Sequence, residues 1–188
     1  VSDMRIIPWQ ADDLDLLRQL NAPEIRRHTG GPETDEQVVA RNARYAGFGA
    51  TGGGCMYTIA LPDGTKVGSV GYWEREWRGE QVYEMGWAVL SAYQGRGLAS
   101  AAVRAVLDVA RARRTRRHAH AYPSVDNPAS NAVCRRAGFV LLGATDFEYR
   151  PGHTMRVNDW RADLGDQHRV RPAGAGRAGR RTAGQAGT

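Results

Sequence analysis

The chain of 188 residues carries a formal charge of +6 and an apolar fraction of 41%, which suits one domain with a genuine core. No apolar run approaches the roughly 20 residues of a membrane helix, and no signal-peptide pattern opens the sequence, so a cytoplasmic location without a membrane partner is expected. Residues 165–188 hold five arginines against one aspartate, or +4 of the total, which leaves a nearly balanced body and excludes a basic nucleic-acid-binding domain.

Met4-Arg5-Ile6-Ile7 reads as an edge strand that Pro8 closes. Asp12-Asp13 precede Leu14, Leu16, Leu17 and Leu20, a capped amphipathic helix ending near Asn21-Ala22-Pro23. After the turn cluster Thr29-Gly30-Gly31-Pro32, the run Thr34-Asp35-Glu36-Gln37 opens a second helix through about Gly47. Gly52-Gly53-Gly54 is a flexible break and a candidate mobile lid. Cys55–Leu61, Lys66–Glu76 and Gln81–Leu90 then alternate as strands, with turns at Pro62-Asp63-Gly64 and Trp77-Arg78-Gly79-Glu80, making an antiparallel meander.

The last of those strands runs through a glycine-bearing loop into an alanine-rich helix, about Gly97–Arg113, with Leu98, Ala102, Ala105, Val106 and Val109 on one face. A helix that opens out of such a loop leaves its first N–H groups unpaired. With the positive end of the dipole they form a site for a phosphate or pyrophosphate. The arginines from Arg111 to Arg117 crowd the other end, where cations complement the dipole.

His118–Pro123 is a further strand. His118 and His120 share a face at a spacing that suits metal, but no other ligand cluster lies nearby in sequence, and no metal is expected. The two cysteines, Cys55 and Cys134, are far apart and suggest neither a disulfide framework nor a zinc cluster. A short helix then starts sharply, with Asn127 as N-cap, Pro128 at N1 and Gly138 as the stop. Its Asn127, Ser130, Asn131 and Cys134 form an uncharged polar stripe suited to touching a polar ligand. Segments 140–143, 147–149 and 153–157 suggest a final hairpin turning at Pro151-Gly152, and Asp159–Leu164 closes a domain spanning 1–164. The Gly/Ala/Arg-rich segment 165–188 buries too little to offset its ordering entropy and is expected to be disordered.

Two phosphate-binding motifs fail on specifics. A P-loop ends in Gly-Lys-Ser/Thr, and the loop here has no lysine. A dinucleotide fingerprint would read Gly95-x-Gly97-x-x-Gly but meets Ser100, without the acidic ribose partner and without a βαβ unit. Gln94-Gly95-Arg96-Gly97-Leu98-Ala99 instead matches Gln/Arg-x-x-Gly-x-Gly/Ala. Together with Asn127-Pro128-Ala129-Ser130-Asn131, Ala137-Gly138-Phe139 and Asn158-Asp159-Trp160, it resembles the GNAT superfamily of acyl-CoA-dependent N-acetyltransferases. The likeness covers roughly Met4 to Leu164 and is closest to the branch of ribosomal-protein N-terminal and small-amine acetyltransferases.

The resemblance implies an α+β fold of three layers, a mixed, mostly antiparallel central sheet flanked by helices. It implies acetyl-CoA as cosubstrate, with its pyrophosphate on the amides of Gln94, Gly95, Arg96, Gly97, Leu98 and Ala99, and its pantetheine along Trp87 and Val89. The Val89 N–H would polarise the thioester carbonyl, and Asn127, Ser130 and Asn131 would flank the cofactor. Glu84, beside Gly86 and Ala88 on its strand face, is either a general base acting through water or the partner of a surface arginine. Where relatives place a tyrosine as acid, this chain has Cys134, a thiol able to protonate a thiolate or a small packing residue. The acceptor is a small-molecule amine or a protein N-terminus, with Tyr72, Trp73, Trp77 and Trp87 as candidate pocket walls. Another donor such as succinyl-CoA, or a non-catalytic CoA-binding regulator whose tail contacts RNA or ribosomes, would keep the same fold. A homodimer is left open.

Overall fold

The computed structural model describes residues 3–165. The remainder of the basic segment, with its expected disorder, lies outside the described residues. Seven strands form one sheet in the order β1-β2-β3-β4-β5-β7-β6. They are β1 (Arg5–Pro8), β2 (Gly54–Ala60), β3 (Lys66–Trp77), β4 (Glu80–Val89), β5 (His118–Ala121), β6 (Val140–Arg150) and β7 (His153–Asp163). Every pairing is antiparallel except β4 with β5. The helices are α1 (Leu14–Gln19), α2 (Pro23–Arg26), α3 (Asp35–Thr51), α4 (Leu98–Arg113) and α5 (Pro128–Ala137). None of the described helices is long and apolar enough to cross a membrane. The α+β architecture expected from the sequence is the one observed.

Layering follows from which residues have no polar alternative. In β3, Val67 through Tyr72 are buried without a break, as a central strand covered on both faces requires, and alternation resumes only from Trp73 as the strand passes beyond the helices. On one face, α4 lays Leu98, Ala102, Val103, Val106, Leu107 and Ala110 against Val70, Tyr72, Tyr83 and Met85. Full burial of each larger member contributes about 1.5–3 kcal/mol. On the other face, Leu16, Leu17 and Leu20 of α1 and the segment after it join Val38 of α3, Trp9 and Met56 in a second core.

Several boundaries differ from the sequence reading. Pro23 does not merely end the first helix; it occupies the first turn of α2, where a missing N–H costs nothing. α3 continues past Gly47 to Thr51 and stops on Gly52 at φ +73°. Of the glycine run, Gly54 already belongs to β2, and a Cβ there would meet the Tyr72 carbonyl at 2.4 Å. That close approach makes it a packing glycine.

The sheet opens between β4 and β5. Their ladder holds only Tyr83↔Ala119 and Glu84↔His120. Antiparallel bonding alternates along a strand, and Leu90 N donates to Val67 O at 2.9 Å in the β3 register. By that alternation Ala88 and Gly86 bond to β3, while Trp87 and Val89 turn their main-chain groups toward β5, which has already ended.

Candidate active site

One cleft of about 590 Å³ occupies this opening. Its walls are β4 from Glu84 to Val89, the loop into α4, the end of β5 and the start of α5, with α2 and Tyr149 at the far end.

Gly95 and Gly97 adopt φ +75° and +77°, a left-handed geometry that turns successive amides to one side. The first helical bond of α4 runs from Ala101 N to Gly97 O at 3.1 Å, so the amides before it project from the helix end. No side chain caps that end, and Gly97, Leu98 and Ala99 line the cleft. The result is a cradle of N–H donors beside the open edge of β4. Gln94 also lines it, but its amide turns back to donate to Val89 O at 2.9 Å, pinning the loop to the strand. This occupies the Val89 carbonyl and leaves the Val89 N–H and the main-chain groups of Trp87 facing the opening.

The polar stripe of α5 divides. Asn127 and Ser130 line the cleft, with Asn127 Oδ1 accepting from Ser130 N at 3.1 Å as a helix cap. Asn131 does not. Its Nδ2 donates to Ser124 O and Asn127 O at 2.9 and 2.8 Å, and its Oδ1 accepts from Asn158 Nδ2 and Trp160 Nε1, both at 2.8 Å. A buried amide with all its bonds used inside the protein has nothing left for a ligand, which corrects its expected cofactor contact. The exposed Arg96 side chain lies outside the lining, stacked over Tyr93 at 5.1 Å.

Cys134 is corrected as well. It is fully buried in the α4–α5 core, outside the cleft lining, and burial pushes its thiol up to about 12. A thiol held that firmly in its neutral form, away from the void, is a packing residue.

Glu84 lines the cleft and is only 8% exposed. Burial raises its pKa above the usual carboxylate range, against the opposing pull of Arg75, whose Nη1 lies 2.8 Å from Oε2. Glu84 therefore faces the void and has an arginine partner at the same time. The space beside Gly86 is not open, since a Cβ there would come within 2.7 Å of the Trp73 ring. Of the candidate aromatic walls, Trp73 and Trp87 line the cleft, Tyr72 is a core residue, and Trp77 donates to Asp159 at 2.9 Å.

Three features escaped sequence reasoning. Arg75 alternates onto the Glu84 face of the hairpin, a position the register of the turn implied. Its guanidinium sits 4.2 Å from the centroid of Phe147, which immobilises the ion pair. Tyr149, from β6, closes the far end of the cleft, and no local pattern announces it. Behind Glu84 in register, His120 Nδ1 pairs with Asp159 at 2.6 Å. Burial works to raise the Asp159 pKa, but hydrogen bonds from His120 and Trp77 outweigh it and hold the carboxylate low. Among the described residues no cluster of metal-ligating side chains forms.

The family model described as "Acetyltransferase (GNAT) domain" matches residues 3–140. No curated protein matches the chain. Similar solved structures include the acetyltransferase that modifies the N-terminal serine of ribosomal protein L7/L12 from Salmonella typhimurium, with 23% identity, TM-score 0.69, and coverage of 87% of this chain and 96% of that one. The ribosomal-protein-S5-alanine acetyltransferase of Vibrio fischeri is 16% identical, with TM-score 0.71 and coverage of 89% and 97%. AAC(6')-Ib, in complex with paromomycin and acetyl-CoA, is 17% identical, with TM-score 0.71 and coverage of 92% and 99%. At these identities the likeness is one of fold.

Proposed function

This chain belongs to the GNAT acetyltransferase family, and on that footing we propose that it moves an acetyl group from acetyl-CoA to a primary amine by direct attack within a ternary complex. The observation that carries the reading is the continuity of one cleft from the loop amides, past the unpaired edge of β4, to Glu84. A ligand running along that path has a phosphate site at one end and a buried carboxylate at the other.

In this reading the amides of Gly95 through Ala99 hold the pyrophosphate. Gln94 serves by fixing the loop, and Arg96 contributes main chain only. Trp87 and Val89 offer main-chain groups to the pantetheine, with Asn127 and Ser130 on its flank. Glu84 takes the proton of the incoming amine through water, and the neutral amine attacks the thioester carbonyl. The Val89 N–H receives the developing oxyanion. Collapse of the tetrahedral adduct breaks the C–S bond, and the proton that the adduct's ammonium nitrogen gives up passes through water to the departing thiolate, leaving a neutral amide and CoA thiol. Arg75 fixes the Glu84 carboxylate and limits how far burial raises its pKa.

The test is release of CoA thiol from acetyl-CoA across a panel of primary amines and N-terminal peptides, with succinyl-CoA as a parallel donor. Amine-dependent release that falls sharply in Glu84→Gln is expected. Tight acetyl-CoA binding with no release across a broad panel would overturn the reading.

A further inference from the structure

The far end of the cleft has a charge pattern that the acetyl transfer reading leaves unexplained. α2 and the turn after it line the cleft with Glu24, Arg26, Arg27 and His28, in company with Glu84 and Tyr149; with Arg41 and Glu33 behind them, three arginines stand against Glu24 and Glu33. Behind them Arg41 of α3 lies 2.6 Å from Glu33, and Arg26 lies 3.9 Å from the same Glu33 oxygen. The three side chains are only 12–15% exposed, so two guanidinium groups share one carboxylate in a poorly hydrated place. The buried Arg26 Nε has no hydrogen-bond partner. Arg27 donates its Nε–H to His28 Nε2 at 2.9 Å. Glu84 brings no surplus negative charge, because Arg75 already neutralises it.

The excess cation sits near the reacting end. Tyr149 lines the same cleft as Glu84 and Arg26, and its phenol is within the electrostatic reach of Arg26, Arg41 and Glu84. An amine poised at Glu84 thus shares its cleft with a cationic wall. A polycationic acceptor would meet repulsion there, whereas an acceptor with an anionic group near its amine would supply the missing partner.

Resting on the proposed acetyl transfer, we infer that the acceptor is a primary amine carrying a carboxylate or phosphate close to the amino group, bound by Arg26 and Arg27. Amino acids and phosphorylated amino alcohols have this form; polyamines and aminoglycosides do not.

The experiment compares matched acceptors in the CoA-release assay: amino acids against their amides, and phosphoethanolamine against ethanolamine, with spermidine and kanamycin as polycations. The amine of an amino-acid amide is less basic, so intrinsic reactivity at neutral pH favours the amide. A preference for the acid therefore reports recognition. The expected result is a kcat/KM for anionic acceptors about 10- to 100-fold above their neutral counterparts, the range of a charge-assisted hydrogen bond. Arg26→Gln should bring that ratio toward unity through KM, without altering the KM for acetyl-CoA. The exposed Arg27→Gln repeats the test if Arg26→Gln fails to fold. Equal or better turnover of neutral or polycationic amines, or a ratio that survives both variants, would overturn the inference and leave acetyl transfer standing. Absence of release with every amine would remove acetyl transfer itself, and the inference with it.

Discussion

Glu84→Gln is the perturbation that bears most directly on the site. The carboxylate is 8% exposed, and burial raises its pKa while Arg75 at 2.8 Å restrains the rise. The glutamine keeps the shape and loses the base, a loss worth about 10²–10⁴-fold in kcat/KM for general-base catalysis. In the wild type, kcat/KM should rise with pH through an apparent pKa above the ordinary glutamate value of about 4.3, and in Glu84→Gln that limb should vanish. Arg75→Gln removes the restraining cation, so its limb should move to higher pH. Profiles recorded with two acceptors of different basicity separate this limb from the amine's own ionisation. The sign extends to stability. Because the folded pKa lies above the unfolded one, the native state holds this proton more tightly. The contribution of Glu84 is fully present below the unfolded pKa and is lost as pH rises through the folded value. Urea denaturation should therefore show the wild type losing stability relative to Glu84→Gln across that window. A variant with activity within a few-fold of wild type and an unchanged profile would refute Glu84 as the base.

Three further outcomes follow from the geometry. Gly95→Ala meets open space but a φ of +75°, so it should lose about 1–2 kcal/mol from backbone strain and weaken acetyl-CoA binding in a titration, with little change in kcat. Asn131→Ala strands the donors and acceptors its amide serves and should cost about 2–4 kcal/mol by urea denaturation, with the Kd for acetyl-CoA preserved at low denaturant. Cys134→Ala should leave kcat and its pH profile unchanged while lowering Tm. A lost alkaline limb in that variant would return the thiol to the mechanism.

Where a local rule decides the structure, the sequence was legible. Asn127, Pro128 and Gly138 bracket α5 because capping and turn chemistry act within a few residues. The meander order and the loop before α4 were equally readable from alternation and glycine placement. Tertiary packing decided the rest. The stripe on α5 predicted one role for Asn127, Ser130 and Asn131, yet β7 supplies Asn158 and Trp160 to Asn131 and takes it inward. Gly86 looked like room for a ligand until the Trp73 ring from the neighbouring strand filled it. Tyr149 reaches the cleft from a hairpin far along the chain, and α2 forms because Pro23 suits a first turn as well as it suits a stop. Helical periodicity carries α3 through Gly47 and Gly49, since each glycine costs only about 1 kcal/mol against the packing of the whole helix.

The short ladder between β4 and β5 has a consequence for what can enter. Unpaired strand edges ordinarily recruit other chains and lead to aggregation. Here the bare edge lies within the sheet, inside a cleft walled by the starts of α4 and α5, by α2 and by Tyr149. A neighbouring protein's strand, with its own sheet and side chains behind it, has no approach to those main-chain groups. A slender ligand that is extended, unbranched and supplied with amides along its length can thread in and stand as the missing strand. The same tear that weakens the sheet thus acts as a sieve, selecting by thickness before any side chain selects by chemistry.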